Sequence, residues 1–295
     1  TSGNWSLASN WQGSIIAAGA DKSATFAQSI GVTVTLDSAR SLGSLAFANG
    51  NYTIAGAVPL TLASASGTPT VAVAGAGVTA TVATPFVGEN DLAKTGLGTL
   101  ILAAANTYSG ATMIDAGTLQ LGNGSTTGAL GSGAVTIASG AFLAINRSNT
   151  YGTTSNQNFS GAGTVVKDGA GDLMFNGPTN HTGAQGIQNL IINGGLVRTD
   201  NFGTWKSDLN LTANGSAIFE LWNTNATLGT LNGNGTVQNT RYWGRDNTTL
   251  TVAAGSFSGM LTDIGSTSSL SLVKSGVGTL TLSGANSYSG ATAVN

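Results

Sequence analysis

The feature that most constrains this chain is a segment that occurs twice and is echoed a third time. Residues 92–112 read LAKTGLGTLILAAANTYSGAT and residues 272–292 read LVKSGVGTLTLSGANSYSGAT, in register throughout. A degenerate copy, VVKDGAGDLMFNGPTNHTGA, begins at Val165. Because the copies start at unequal intervals, a strictly periodic propeller is excluded, whereas a solenoid accommodates coils inserted between repeats.

Short runs of alternating apolar residues indicate strands rather than helices. Examples are VTVTL at residues 32–36, TLILA at 99–103 and TLTVA at 249–253, each near Gly, Asn or Ser. A period of two with β-branched residues is typical of strands. We therefore predict an all-β fold, a right-handed parallel β-helix (β-solenoid). The alternative, a β-sandwich, has similar strands but accommodates long insertions between matching repeats poorly.

The composition fits a narrow solenoid and excludes several classes of function. The chain has 44 glycines, 7% charged residues and a formal net charge of -2. A protein that neutralises nucleic-acid phosphates needs clustered cations, which this chain lacks. With no cysteine and a single histidine, His181, it offers neither a disulfide framework nor a multi-histidine zinc site. We predict no metal site and no cofactor.

The repeated residues resemble a known family. The segments GLGTLILAAANTYSGAT…DAGTLQLG and GVGTLTLSGANSYSGAT are similar to the autotransporter-associated β-strand repeat, also called the passenger-associated transport repeat. The opening GNWSLASNWQG resembles the tryptophan module that begins some large exported proteins with such repeats. The resemblance implies a secreted or surface-displayed β-helix within a longer polypeptide.

We therefore expect residues 1–295 to form a single β-helix rod that is part of a longer chain. Residues 1–91 hold the tryptophan module and the first coils, and the repeats start at residues 92, 165 and 272. The final copy stops at Asn295, where the first copy continues into a further strand. An open solenoid edge has unpaired backbone groups, so we expect it to pair with the chain's own continuation or with identical chains stacked head to tail.

The aromatic and basic stretch at residues 241–245 differs from the repeats, and together with Trp222 it is the candidate ligand-binding site. Trp222 precedes this stretch by about one coil, and we predict that its ring lies within about 7 Å of the Trp243 ring. The pair would form a lateral patch able to hold a sugar ring or another protein. The alternative is an aromatic ladder without a binding role. The candidate residues are Trp222, Arg241, Tyr242, Trp243 and Arg245.

Comparing the copies argues against a catalytic role for the repeat residues. His181 stands where the other copies have tyrosine, so we interpret it as a replaced turn aromatic. The recurring lysines are Lys94, Lys167 and Lys274, whose stems we expect along the solenoid with the ammonium in water or near a turn carbonyl. We predict no catalytic residue.

The resulting hypothesis is a non-enzymatic, extracellular or cell-surface adhesive module of an autotransporter-like protein. Two alternatives stay open: a self-assembling filament subunit and a β-helix carbohydrate-active enzyme. The enzyme needs a cluster of carboxylates or a pair at fixed separation. The closest acidic pairs, Glu89 with Asp91 and Asp168 with Asp172, are more typical of solvated turns. We expect a glycan or a protein as lateral partner, no nucleic acid and no membrane insertion.

Overall fold

The computed structural model describes residues 3–28, 31–65, 67–153, 157–175, 186–199, 205–222, 224–240, 247–265 and 268–295. Helical structure in these residues is limited to two 3-10 turns, Ala8–Asn10 and Gln12–Ser14. Neither turn approaches the length or the apolarity that a membrane-spanning helix needs, and no other described segment does. The chain divides into two compact units, unit 1 (Thr1–Arg147) and unit 2 (Ser148–Asn295).

The described residues of unit 1 contain fifteen short strands. They are β1 (Gly3–Asn4), β2 (Gly19–Phe26), β3 (Val32–Thr35), β4 (Arg40–Phe47), β5 (Tyr52–Ala55), β6 (Leu60–Leu62), β7 (Thr70–Val73), β8 (Thr79–Val82), β9 (Phe86–Val87), β10 (Leu92–Thr95), β11 (Thr99–Leu102), β12 (Thr112–Ile114), β13 (Thr118–Leu121), β14 (Val135–Ile137) and β15 (Phe142–Ile145).

The strands of unit 1 pair in parallel with the coils before and after them, along three columns. One column runs through β1, β3, β5, β8, β11, β13 and β15. A second joins β2, β4, β7, β10, β12 and β14. The third is shorter and joins β4, β6 and β9. Thr99 faces Thr79 on one side and Thr118 on the other, so three successive coils place the same residue type at one position of the ladder.

The core of unit 1 follows from this register. In the first column Ile54, Val82, Leu102, Leu121 and Ile145 face one another across successive coils, and each is at most 1% exposed. Burying one such side chain contributes roughly 1.5–3 kcal/mol relative to leaving it in water. Alternation along each strand therefore places one stacked apolar row inside the solenoid and leaves the other row facing outwards.

Unit 2 repeats the arrangement with longer strands. Its described residues contain β16 (Tyr151–Gly152), β17 (Phe159–Lys167), β18 (Leu173–Phe175), β19 (Gly186–Ile192), β20 (Leu196–Thr199), β21 (Leu209–Ala213), β22 (Ile218–Glu220), β23 (Ala226–Gly233), β24 (Thr236–Thr240), β25 (Asn247–Phe257), β26 (Met260–Ile264), β27 (Ser269–Lys274), β28 (Leu280–Leu282) and β29 (Thr292–Val294).

Unit 2 has two main columns of parallel strands. The first runs through β17, β19, β21, β23, β25, β27 and β29. The C-terminal part of β25 also pairs with β28. The second column joins β16, β18, β20, β22, β24 and β26, and it carries the candidate site.

Two repeat copies make the same local hydrogen bond. The Tyr108 hydroxyl lies 2.7 Å from Thr112 Oγ1, and the Tyr288 hydroxyl lies 2.8 Å from Thr292 Oγ1. Both pairs come from the Tyr-x-Gly-Ala-Thr part of the motif. The repeated motif therefore encodes a turn in which the tyrosine hydroxyl pairs with the threonine that begins the next strand.

These observations confirm the predicted fold class: the chain is all-β, and parallel coils build a β-solenoid. The β-sandwich alternative is wrong because a sandwich is built from antiparallel sheets, whereas the ladders of both units are parallel. The single rod over residues 1–295 and the pairing of its terminal coils with a continuation or with identical chains stay predictions.

An acid-sensitive contact joins two coils of unit 2. The Asp263 carboxylate accepts hydrogen bonds from Ser289 N at 2.9 Å, Ser289 Oγ at 2.7 Å and Leu270 N at 3.0 Å. Burial opposes the charge, but these hydrogen bonds outweigh it and hold the pKa of Asp263 below its ordinary value. The contact therefore stabilises the folded chain fully above the ordinary carboxyl pKa.

We expect this stabilisation to disappear as the pH falls from about 4 through the lowered pKa of Asp263, because the unfolded chain then binds the proton more readily. Urea midpoints measured between about pH 5 and pH 2 should fall less steeply in Asp263→Asn than in the wild type. Ser289→Ala, which removes one donor, should give an intermediate slope. Equal slopes in the wild type and Asp263→Asn would show that the contact does not couple folding to pH.

Candidate functional site

A row of one methionine and four polar side chains crosses the second column of unit 2. The register places Met174, Arg198, Glu220, Gln238 and Thr262 opposite one another on β18, β20, β22, β24 and β26. The positions just before them belong to the apolar core, as Val197 and Phe219 show with 0% exposure. Because side chains alternate along a strand, the polar row points away from that core.

Arg198 and Glu220 form the charged centre of this row. Arg198 Nη1 lies 3.2 Å from Glu220 Oε2, and the two side chains are 19% and 5% exposed. Glu220 Oε1 accepts from Gln238 Nε2 at 3.2 Å and from the Thr240 hydroxyl. The second terminal nitrogen of the guanidinium, Nη2, lies 3.9 Å from Met174 Sδ. A carboxylate held on both oxygens keeps the guanidinium in one orientation.

Trp222 covers the guanidinium from the adjoining turn. Arg198 Cζ lies 4.2 Å from the centroid of the Trp222 ring, within the range of a cation–π contact. Trp222 has a φ of 36°, a left-handed backbone conformation that side-chain-bearing residues rarely adopt and that costs of order 1–3 kcal/mol. The side chain is half-buried. We name the group of Arg198, Glu220 and Trp222 the lateral patch.

One of the five predicted site residues, Trp222, lies in the described part of the chain, and the predicted binding role stays a prediction. Trp222 lies in the lateral patch, next to the buried charge pair. Arg241, Tyr242, Trp243 and Arg245 lie outside the described residues, so the predicted stacking of Trp222 with Trp243 stays a prediction. His181 also lies outside the described residues.

Sequence reasoning missed Arg198, although a signal for it was present. Arg198 ends the segment NGGLVR, residues 193–198, which follows the third repeat copy. It precedes Glu220 by about one coil, and the register pairs the two positions. A search for opposite charges separated by one coil would have found the pair.

The three repeat lysines have a structural role. Of the two predicted positions for the ammonium group, water or a turn carbonyl, the turn carbonyl is the one observed in all three copies. Lys94 occupies an inward-facing position between Val71 and Ile114 and is 0% exposed. Its Nζ donates to the carbonyl oxygens of Thr95 at 3.0 Å, Gly96 at 2.8 Å and Ala116 at 3.0 Å. Burial lowers the pKa of Lys94 to about 8, so the side chain keeps most of its charge at neutral pH.

The other two copies reproduce this arrangement. Lys167 Nζ donates to the Gly169 and Gly194 carbonyls, and Lys274 Nζ donates to Ser275 O at 2.6 Å and Gly276 O at 2.8 Å. For Lys94 and Lys167, one of the acceptors belongs to the following coil. In these two copies the lysine therefore joins the turn of the repeat to the following coil through hydrogen bonds from one ammonium group.

The described carboxylates form no cluster of the kind that holds a metal ion. In the described part of the chain no three Asp, Glu or His side chains come close enough to hold a metal ion. Asp168 and Asp172 border one surface depression, but Asp168 Oδ1 accepts from Asn193 Nδ2 at 2.8 Å. Asp91 Oδ1 accepts from the Ala111 backbone at 2.7 Å. Asp168 and Asp91 therefore bind neighbouring coils.

Comparison with known proteins identifies the repeats. The family model described as Passenger-associated-transport-repeat matches residues 92–121, 165–197 and 272–295. These segments contain the three copies recognised in the sequence, and the predicted resemblance to this repeat is therefore confirmed.

One curated relative gives a biological context. The chain is 37% identical over 134 residues to a protein named "Adhesin BmaC autotransporter" of Brucella suis biovar 1 (strain 1330). The match covers 43% of this chain and 4% of the relative, so the chain spans only a small fraction of that protein's length. No solved structure matches the chain.

Proposed function

We propose that this chain is a non-enzymatic adhesive module of an autotransporter-like surface protein, and that it works outside the cell. The observation that carries the proposal is the match to a protein named as an adhesin autotransporter, together with the three passenger repeats. A β-solenoid suits this role because stacked coils hold outward-facing side chains in fixed rows over a long surface.

The lateral patch is the contact surface that we propose for the target. Glu220 fixes the Arg198 guanidinium, and Trp222 lies against it, so neither side chain needs much ordering when a partner binds. Rigid aromatic and arginine side chains contribute strongly to binding for this reason. Because Glu220 offsets the charge of Arg198, the patch favours stacking and hydrogen bonding over long-range attraction. A glycan or a protein surface with exposed rings fits that chemistry.

The test is binding of the purified chain to cells. Fluorescently labelled protein, applied to cultured epithelial cells and to a basement-membrane extract, should bind saturably on at least one of the two. Excess unlabelled protein should displace it, and heat-denatured protein should not bind. Absence of saturable binding to both surfaces would contradict an adhesive role for these residues.

The enzyme alternative is tested on the same preparation. Incubation with soluble plant, fungal and bacterial polysaccharides should release no new reducing ends and no unsaturated products. Release that depends on Asp168 or Asp172 would contradict the non-enzymatic proposal, because these two carboxylates border one depression beside Lys167.

A further inference from the structure

A second potential binding site lies at the first coils of unit 1, away from the repeats. Residues 3–11 fold over β2 and β3 and leave an open cavity of about 190 Å³. Its walls include Trp5, Trp11 and Phe26, and its rim includes Asn4, Asn10 and Gln28. No residue of the lateral patch takes part in it.

The aromatic walls are held rigidly. The Trp5 and Trp11 ring centroids lie 4.9 Å apart, and the Trp11 and Phe26 centroids lie 5.9 Å apart. Trp5 Nε1 donates to Ala17 O at 2.9 Å, and Trp11 Nε1 donates to Trp5 O at 2.7 Å. Both indole N–H groups are used within the protein, and Trp5 is 0% exposed. The half-buried Trp11 is therefore the ring whose face a ligand can reach, with Trp5 packed behind it.

The rim supplies polar groups without charge. Asn10 Nδ2 donates to Asn4 O at 2.9 Å, which fixes the amide, and its Oδ1 has no hydrogen-bond partner among the described residues and can accept from a ligand. The side chains of Asn4 and Gln28 make no hydrogen bond to other described residues, and both are exposed to solvent. Among the described residues, no Asp, Glu, Lys, Arg or His lines the cavity. A charged ligand would find no counter-ion there.

We propose that this cavity binds one ring of a neutral sugar. The apolar C–H face of a pyranose packs on an aromatic ring, while its hydroxyl groups exchange hydrogen bonds with amide side chains. A purely apolar ligand would leave the polar rim unpaired, and the small volume admits a single ring rather than a larger molecule. Trp11 also borders a second surface depression, with Ile15 and Lys22, which leaves room for a glycan to continue.

The experiment uses the whole chain and four defined probes: methyl β-glucopyranoside, methyl β-galactopyranoside, methyl α-mannopyranoside and methyl N-acetyl-β-glucosaminide. Each is titrated to about 50 mM against ¹⁵N-labelled protein, because single-ring ligands bind with millimolar dissociation constants. At least one should shift the Trp11 indole and Asn10 amide signals saturably. Asn10→Ala should weaken that binding about fivefold, since it removes a hydrogen-bonding group.

Leu7→Ala is the matched control, because Leu7 is 52% exposed in the same segment and does not line the cavity. It should bind the sugar like the wild type. The proposal is overturned if none of the four sugars shifts the Trp11 signal, or if Asn10→Ala binds as well as Leu7→Ala. Shifts confined to Trp222 would also overturn it, because they would place the sugar on the lateral patch. Tighter binding of a methyl glucuronide would contradict the neutral ligand class.

Discussion

Replacing Gly96 with alanine is expected to lower the free energy of unfolding by about 3 kcal/mol or more. Gly96 turns the chain between β10 and β11 with a φ of +75°, where an alanine is strained by about 1–2 kcal/mol. An added Cβ would also lie 2.2 Å from Val73 O and 2.7 Å from Val73 C in the preceding coil. The coils cannot separate to relieve this overlap without breaking ladder hydrogen bonds. Urea denaturation followed by circular dichroism measures the loss.

Gly140→Ala separates the two causes. Gly140 has nearly the same backbone conformation, with a φ of +78°, but an added Cβ would meet no atom within 4 Å. It should therefore lose only the conformational part, about 1–2 kcal/mol. Equal losses in the two variants would show that close stacking of coils does not constrain the repeat turn.

Lys94→Ala is expected to cost about 4 kcal/mol, the second large effect. The substitution leaves a cavity where a fully buried stem packed in the core column, which costs about 2–5 kcal/mol for side chains of this size. It also removes the donor to the carbonyls of Thr95, Gly96 and Ala116. Lys94→Met keeps the stem and loses only the ammonium, so it should cost less than Lys94→Ala. Thermal and urea unfolding of each variant provide the measurement.

Lys22 supplies the control for Lys94, because it is exposed in the same unit. Lys22→Ala should change stability by no more than about 0.5 kcal/mol. If Lys94→Ala were as mild as Lys22→Ala, the recurring lysine would have no role in joining the coils.

The fold was predictable because its signals are local. Val82 and Leu121 follow the polar residues Thr81 and Gln120, and such alternation identifies strands with one buried face. The repeated Lys-x-Gly-x-Gly pattern indicated a turn. It did not indicate that the Lys94 side chain points inwards. An inward lysine is stable only because carbonyls of two coils meet at its tip, and that meeting depends on which coil follows.

The candidate site was less predictable because coil length varies. The step along the chain from Arg198 to Glu220 is longer than the step from Glu220 to Gln238, and the next step, to Thr262, is longer than both. A single assumed coil length therefore cannot align the row, and the pairing of Trp222 with Trp243 that it gave stays a prediction. The cavity beside Trp11 depends on how residues 3–11 fold back, and no repeat in the sequence describes that segment.

Retention of protein-coated beads under flow tests the central claim most directly, because it measures adhesion and assigns it to a surface. Beads carrying the wild type, an Arg198→Ala and Trp222→Ala double variant, or a Leu97→Ala and Val277→Ala double variant are passed over whichever surface binds the soluble chain. Leu97 and Val277 are exposed residues of the repeat turns, so the last variant controls for loss of surface side chains. Circular dichroism confirms that all three proteins are folded. We expect the lateral-patch variant to lose retention about tenfold or more and the repeat-turn variant to behave like the wild type. Equal retention of the wild type and the lateral-patch variant, or an equal loss in both variants, would contradict the claim.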